Sequence, residues 1–364
     1  MKKYSFLVAV IIVFSIMACS EEDVNTDSAK NISQQSFNWK MVTTWPANFP
    51  VFQEGAERFA RNVKEMSNGH LNIEVFAGGE LVPPLQSFDA VSQGTIEMGH
   101  GASYYWAGKV PAAQFFSAVP FGMTAKGVET WIYSGGGLEL WRQLYKPFNV
   151  LPIPMGNTGV QTGGWFKKRI DSVEDMNGLR MRIPGLGGNV LKGVGGNPVL
   201  MAGGEIYTAL ERGVLDATEW VGPYHDQRLG LNRAASYYYY PGWHEPGTEL
   251  ELLVNINAWE LLPDYLKSII ENAAQATSLW MYTTMEYQNS QALQELRSKQ
   301  NIEILEFPPE VLKELRRVAN VVLESEAAED PDFKLIYDNY LKFRQEYGKW
   351  SEISDDSYEA SLRD

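Results

Sequence analysis

A nine-residue pattern occurs twice in this chain. Ala90-Val91-Ser92-Gln93-Gly94-Thr95-Ile96-Glu97-Met98 aligns without a gap with Ala209-Leu210-Glu211-Arg212-Gly213-Val214-Leu215-Asp216-Ala217. Each copy reads as a helix end, a glycine that closes it, and a short strand with an acidic residue at the same place. The repetition implies two similar α/β lobes. Length agrees, because 364 residues are too many for one compact core. Around the first copy the order is strand, helix, strand. Lys40 to Trp45 is short and β-branched, and it stops at Pro46. Phe52, Ala56, Phe59, Ala60, Val63 and Met66 recur at helical spacing, and Leu71 to Phe76 alternates as a strand. That order builds a parallel sheet, and open α/β sheets bind ligands at the carboxyl ends of their strands. The residues expected there are Ser103-Tyr104-Tyr105-Trp106 in one lobe and Glu219-Trp220-Val221-Gly222 in the other.

The chain opens with Lys2 and Lys3, an apolar run from Phe6 to Met17, then Ala18 and Cys19. This is the layout of a signal peptide over residues 1–18, too short for a comfortable membrane span. Ile16-Met17-Ala18-Cys19 resembles the lipobox of bacterial lipoproteins, which marks Cys19 for lipidation and the product for export to the periplasm, anchored to a membrane. Cys19 is the only cysteine, so an internal disulfide is excluded. Residues 19–37 are polar and read as a flexible tether. The remainder divides into lobe I at 38–160, to which later chain returns, and a lobe II core at 161–250. A crossing strand, a long spine helix and C-terminal helices follow at 251–350, and a polar tail expected to fray occupies 351–364. The spine helix is read from Leu262, Leu266, Ile269, Ile270, Ala273, Ala276, Leu279 and Trp280.

Net charge is −14, with 31 basic and 45 acidic residues, which argues against a nucleic-acid partner. An acidic protein that binds an anion must supply a local cation. Leu179 to Gly185 reads as a strand in which Arg180 and Arg182 share a face, and the planar guanidinium fork is the preferred partner of a carboxylate. The stretch from Asn157 to Phe166 packs amides, hydroxyls and glycines before an apolar pair, a composition that lets backbone approach and orient a ligand. Glu219-Trp220 and His244-Glu245 offer hard oxygen ligands for Ca²⁺ or Na⁺. Zinc is poorly supported, since there is no HExxH pair and no cysteine cluster. Gly185-Leu186-Gly187-Gly188 is not a dinucleotide fingerprint, because Val190 stands at its third glycine position. No nucleophile elbow or P-loop is present.

Several segments in order resemble the solute-binding subunit of a tripartite ATP-independent periplasmic (TRAP) transporter. They are Ser103 to Lys109, Gln161 to Phe166, Gly178 to Gly185, Ala209 to Trp220 and Trp243 to Gly247. The likeness runs from about Lys40 to about Tyr347. It is narrowest to the branch that binds 2-oxo and 2-hydroxy monocarboxylates with a metal ion. It implies two α/β lobes of periplasmic-binding-protein type closing over the ligand, with Arg182 clamping the substrate carboxylate. Glu219 and Trp220 would supply a carboxylate and a backbone carbonyl to the metal, and Glu245 would complete the shell. Gln161 would touch metal and substrate, while Tyr104, Tyr105 and Asn157 would hydrogen-bond or cover the ligand. Trp220, Trp165 and Phe166 would wall its acyl chain. Two carboxylates in the shell favour Ca²⁺ over Na⁺. The implied partners are a small organic carboxylate and the membrane permease subunits, with a homodimer through the C-terminal helices permitted. A metal-dependent hydrolase using Glu219, His244 and Glu245, and a sensory lipoprotein of the same fold, are the competing readings.

Overall fold

A computed structural model describes residues 36–362. The expected signal peptide, Cys19 and the expected tether up to residue 35 lie outside the described residues. Among the described residues, eleven strands form two sheets. The first, in the order β2-β1-β3-β10-β4, comprises β1 Phe37–Thr43, β2 Leu71–Phe76, β3 Met98–Gly101, β4 Val150–Asn157 and β10 Glu249–Asn255. The second, in the order β11-β9-β5-β8-β6-β7, comprises β5 Gly164–Phe166, β6 Arg180–Arg182, β7 Asn197–Val199, β8 Ala217–Thr218, β9 Tyr237–Tyr240 and β11 Glu303–Glu306. Each sheet is the floor of one α/β lobe. The expected boundary at residue 250 falls inside β10, a strand of the first sheet.

The repeated pattern is repeated structure. In both copies a glycine at positive φ, Gly94 at 71° and Gly213 at 76°, ends the helix as only a residue without Cβ does easily. The carbonyl of Ala90 accepts from Thr95 and Ile96, and that of Ala209 accepts from Val214 and Leu215. The acidic residue then ties the neighbouring parallel strand. A Glu97 carboxylate oxygen accepts from the Lys40 N–H at 2.8 Å, and one of Asp216 accepts from the Arg180 N–H at 3.1 Å. The registers match as well, with Met41 opposite Met98 and Met181 opposite Ala217.

Three crossings join the lobes. The segment between β4 and β5 is the first, and that between β9 and β10 is the second. They hold each other through Thr158 N–H to the Thr248 carbonyl at 3.0 Å and Gln161 N–H to the Glu245 carbonyl at 3.2 Å. The third is the spine helix, Asp264–Arg297, whose 34 residues extend about 50 Å. It packs on β4 and helix Phe52–Met66 in one lobe and on helix Pro223–Leu229 in the other.

The C-terminus departs from expectation. Helix Pro331–Ile353 continues past residue 351, and a further helix spans Asp355–Ser361. Asp355 and Asp356 occupy its first turn, where negative charge complements the helix dipole, and Lys126 pairs with Asp355. The tail therefore has both local and tertiary reasons to hold its shape up to Leu362.

Candidate binding site

The side chains singled out at the strand ends meet between the lobes. β3 delivers the 3₁₀ turn Ser103–Trp106, β6 ends on Arg182, and β8 runs directly into Glu219 and Trp220. The two paired crossings contribute Gln161 and Thr158 from one and His244, Glu245 and Thr248 from the other. Arg182 and Arg180 separate as a strand end dictates. Arg180 lies outside, bound to Asp216 at 2.7 and 2.8 Å, whereas Arg182 is 1% exposed.

Arg182 is held on several sides. One terminal nitrogen donates to Glu219 Oε1, and the other donates to the Tyr105 hydroxyl at 3.4 Å. Its Nε donates to the Met201 carbonyl at 3.3 Å, and the guanidinium lies over the Trp220 ring at 5.2 Å. Glu245 Oε2 accepts from Gln161 Nε2 at 2.8 Å, Thr248 Oγ1 at 2.6 Å and the Tyr104 hydroxyl at 3.4 Å. Asn157 stands at the edge of this group. Its amide nitrogen donates to Glu249 and its oxygen accepts from the Gly159 N–H.

Against these engaged atoms stand three buried oxygens with no donor: Glu219 Oε2, Glu245 Oε1 and Gln161 Oε1. His244 lies beside them with neither ring nitrogen hydrogen-bonded, its Nε2 3.5 Å from Glu219 Oε2. One potential ligand atom from each of Glu219, His244 and Glu245 falls within 4.8 Å of the others. Burial pushes the Glu219 carboxyl up to about 7 against the pull of Arg182. Burial, then the Glu219 charge, raises Glu245 to about 7, and burial pulls His244 down to about 4, leaving it neutral. With both carboxylates ionised the group carries one negative charge in excess of Arg182. Buried oxygens without donors cost free energy, and a cation bound by oxygen removes both the orphaned acceptors and the excess charge. The residues present fit such an ion.

Beside this polar cluster is a narrow cavity of about 10 Å³ lined by Trp45, Phe52, Tyr104, Tyr105, Thr158, Gln161, Trp220, Val221 and Leu250. Its walls correct one expectation. Adjacent strand residues face opposite sides of a sheet, and Trp165 and Phe166 do so. Trp165 stacks on Tyr238 at 4.2 Å and donates to Asp226, while Phe166 packs on Tyr239 and Phe307. Neither lines the cavity. Asp226 also accepts from the N–H groups of Val221 and Gly222, and so holds the backbone that presents Trp220. Trp45, Phe52 and Leu250 were not singled out for the cavity. Trp45 was within reach of the strand-end rule, since it follows β1 as Ser103 follows β3.

With this geometry in place, the likeness to known proteins becomes informative. Residues 41–330 match the DctP family, described as bacterial extracellular solute-binding protein, family 7. The chain belongs to that family. This solute-binding protein is 44% identical over 345 residues to a monocarboxylate 2-oxoacid-binding periplasmic protein of Nostoc sp., covering 95% of this chain and 93% of that one. Among solved structures, a TRAP solute-binding protein of Colwellia psychrerythraea with bound calcium and pyruvate has a TM-score of 0.87. It is 42% identical, over 90% of this chain and 100% of that one. One from Pseudoalteromonas atlantica with sodium and pyruvate has a TM-score of 0.87 at 41% identity, over 90% and 99%. A third, from Bordetella bronchiseptica, is a mixed-occupancy dimer with calcium and picolinate at one site. Its TM-score is 0.88 at 38% identity, over 90% and 97%. The expected two-lobed α/β fold with long C-terminal helices is thus the fold of the family. The protein is a TRAP-type solute receptor of the periplasmic side, working with membrane permease subunits.

Proposed function

We propose that this receptor captures a small 2-oxo or 2-hydroxy monocarboxylate together with a metal ion. The observation that carries the reading is the set of donorless buried oxygens on Glu219, Glu245 and Gln161 beside a buried guanidinium. Arg182 would hold one carboxylate oxygen, and Glu219, Glu245, Gln161 and the Trp220 carbonyl would hold the ion. Tyr104, Tyr105 and Asn157 would orient or cover the acid. An ion at this place would offer open coordination to the acid's second carboxylate oxygen and its neighbouring 2-oxygen. Charge count favours Ca²⁺ over Na⁺. Arg182, two carboxylates, a divalent ion and a monocarboxylate sum to zero, whereas Na⁺ leaves a buried negative charge. Calorimetric titration with pyruvate in calcium, in sodium alone and after chelation tests it. Affinity is expected to be highest with calcium, and equal affinity in all three would sink the metal's role.

The same reading makes the protein a receptor and not an enzyme, so the acid should be recovered unchanged after prolonged incubation. It retains a lobe boundary near residue 160, with the chain back in the first lobe at β10, and a lipid on Cys19. Palmitate labelling that disappears in Cys19→Ser tests the anchor. A homodimer through the C-terminal helices is part of the proposal, supported by the apolar residues they expose, Trp350, Ile353, Tyr358 and Leu362. Ile353→Glu should reduce the mass measured by light scattering, and a monomeric wild type would dismiss the dimer.

A further inference from the structure

The cavity has a polar end and an apolar end, and the apolar end is kept so by a histidine that does not touch it. Arg182, Glu219, Glu245 and Gln161 occupy one side, which fixes where an acid head must lie. The carbon chain of a bound acid then extends toward Trp45, Phe52, Val221 and Leu250. Of the two indoles on the cavity, Trp220 leans over Arg182, while Trp45 packs on Phe52 at 4.5 Å and stands edge-on to Trp220 at 6.4 Å.

An indole carries one strong donor; that of Trp220 is buried without an acceptor, whereas that of Trp45 is engaged. Trp45 Nε1 donates to Nδ1 of His100 at 2.7 Å. On the far side of the ring, His100 Nε2 lies 2.9 Å from the Met155 carbonyl, which only accepts. The proton of His100 is therefore on Nε2, and Nδ1 is a bare acceptor. The imidazole is fully buried, and burial pulls it down to about 4, so this tautomer persists through the physiological range. The chain Trp45 to His100 to Met155 spends the indole N–H away from the ligand. The side of the wall made by Trp45, Phe52, Val221 and Leu250 offers the acid's tail a ring face and hydrocarbon.

Resting on the carboxylate reading above, we propose that His100 is a positioning residue for ligand selection. By retaining the Trp45 N–H it makes the protein take acids with alkyl tails in preference to those ending in a hydroxyl or a second carboxylate. A tail hydroxyl would be stripped of water with no partner on this wall, and a second carboxylate more severely so.

The test compares 2-oxobutyrate with 3-hydroxypyruvate, which differ by a methyl against a hydroxyl, using calorimetry on the protein in calcium buffer. Wild type is expected to prefer 2-oxobutyrate by tenfold or more. His100→Leu frees the indole N–H, and the preference should fall to threefold or less. His100→Gln, whose oxygen accepts and whose nitrogen donates, should restore it. In Trp45→Phe, which has no N–H to release, the further change His100→Leu should leave the ratio unaltered. Should His100→Leu fail to fold, His100→Asn takes its place, being too short to span both partners. A wild-type ratio in the His100 variant, or a lost ratio in the Trp45→Phe double variant, overturns this role of His100 and leaves the carboxylate reading standing. Wild-type protein that binds neither acid overturns that reading and this one with it.

Discussion

Arg182 has two partners to satisfy, and the two can be separated experimentally. Its pairing with Glu219 is buried on both sides, each side chain being 1% exposed. Arg182→Ala leaves an uncompensated carboxylate and is expected to lower stability by about 3–5 kcal/mol. Arg182→Lys keeps the charge but loses the fork, so it should stay folded while affinity for the acid falls by about 2 kcal/mol or more. Chemical denaturation and calorimetry read the two effects, and unchanged affinity in Arg182→Lys would remove the clamp from the site. Residues of this kind were visible in the sequence because their chemistry is scarce. An arginine before Pro-Gly and a glutamate after a repeated strand stand out in an acidic chain. Leu250 did not stand out, because an apolar residue in a fully buried segment shows no alternation that marks a cavity face. The misplacement of Phe166 had another cause. Two neighbouring aromatics were assigned to one wall, although the pleat sends them to opposite sides.

An imidazole links helix Pro223–Leu229 to the other lobe. His225 Nε2 lies 2.8 Å from the Pro50 carbonyl, with the ring packed against Phe49 and Phe52. The donor is thus Nε2–H of the neutral ring. Burial, with the nearby Arg228 charge adding to it, lowers His225 from 6.5 to about 3. The folded state resists protonation that the unfolded chain accepts, so this stability is complete above pH 6.5 and is lost as pH falls toward 3. About 2 kcal/mol of it should disappear between pH 7 and pH 5. His225→Gln keeps a donor for Pro50 and cannot ionise, so its stability should fall less on acidification than that of wild type. Parallel denaturation curves at the two pH values would refute the assignment. At this scale periodicity served well for the spine helix, whose buried positions recur over many turns. It failed for the last helix, where the ordering comes from acidic residues at a helix start and an ion pair to Lys126, a contact distant in sequence.

Closure of the whole molecule brings Gly185 of the second lobe onto Tyr104 of the first. At φ 59°, a Cβ on Gly185 would lie 2.9 Å from the Tyr104 Cβ. Gly185→Ala therefore meets backbone strain and a collision between lobes, and is expected to weaken ligand binding about tenfold. Small-angle scattering should show a larger radius of gyration with ligand than the wild type has, and a normal closed form would rule out the contact. Chelation acts on the same equilibrium. Stripping calcium should abolish most of the rise in melting temperature that pyruvate produces, since a ligand stabilises only through its affinity for the folded state.

The groups that carry charge, Arg182, Glu219 and Glu245, come with the Gln161 amide from the second lobe and the paired crossings, while the first lobe brings Trp45, Phe52 and the two tyrosines. One jaw is thus wired and the other is padded. Arrival of an anion is governed by the wired jaw alone, and its dwell time by the padded one. Changes at Trp45 or Tyr105 should register chiefly in how fast the cargo escapes, and hence in how long the permease has to receive it.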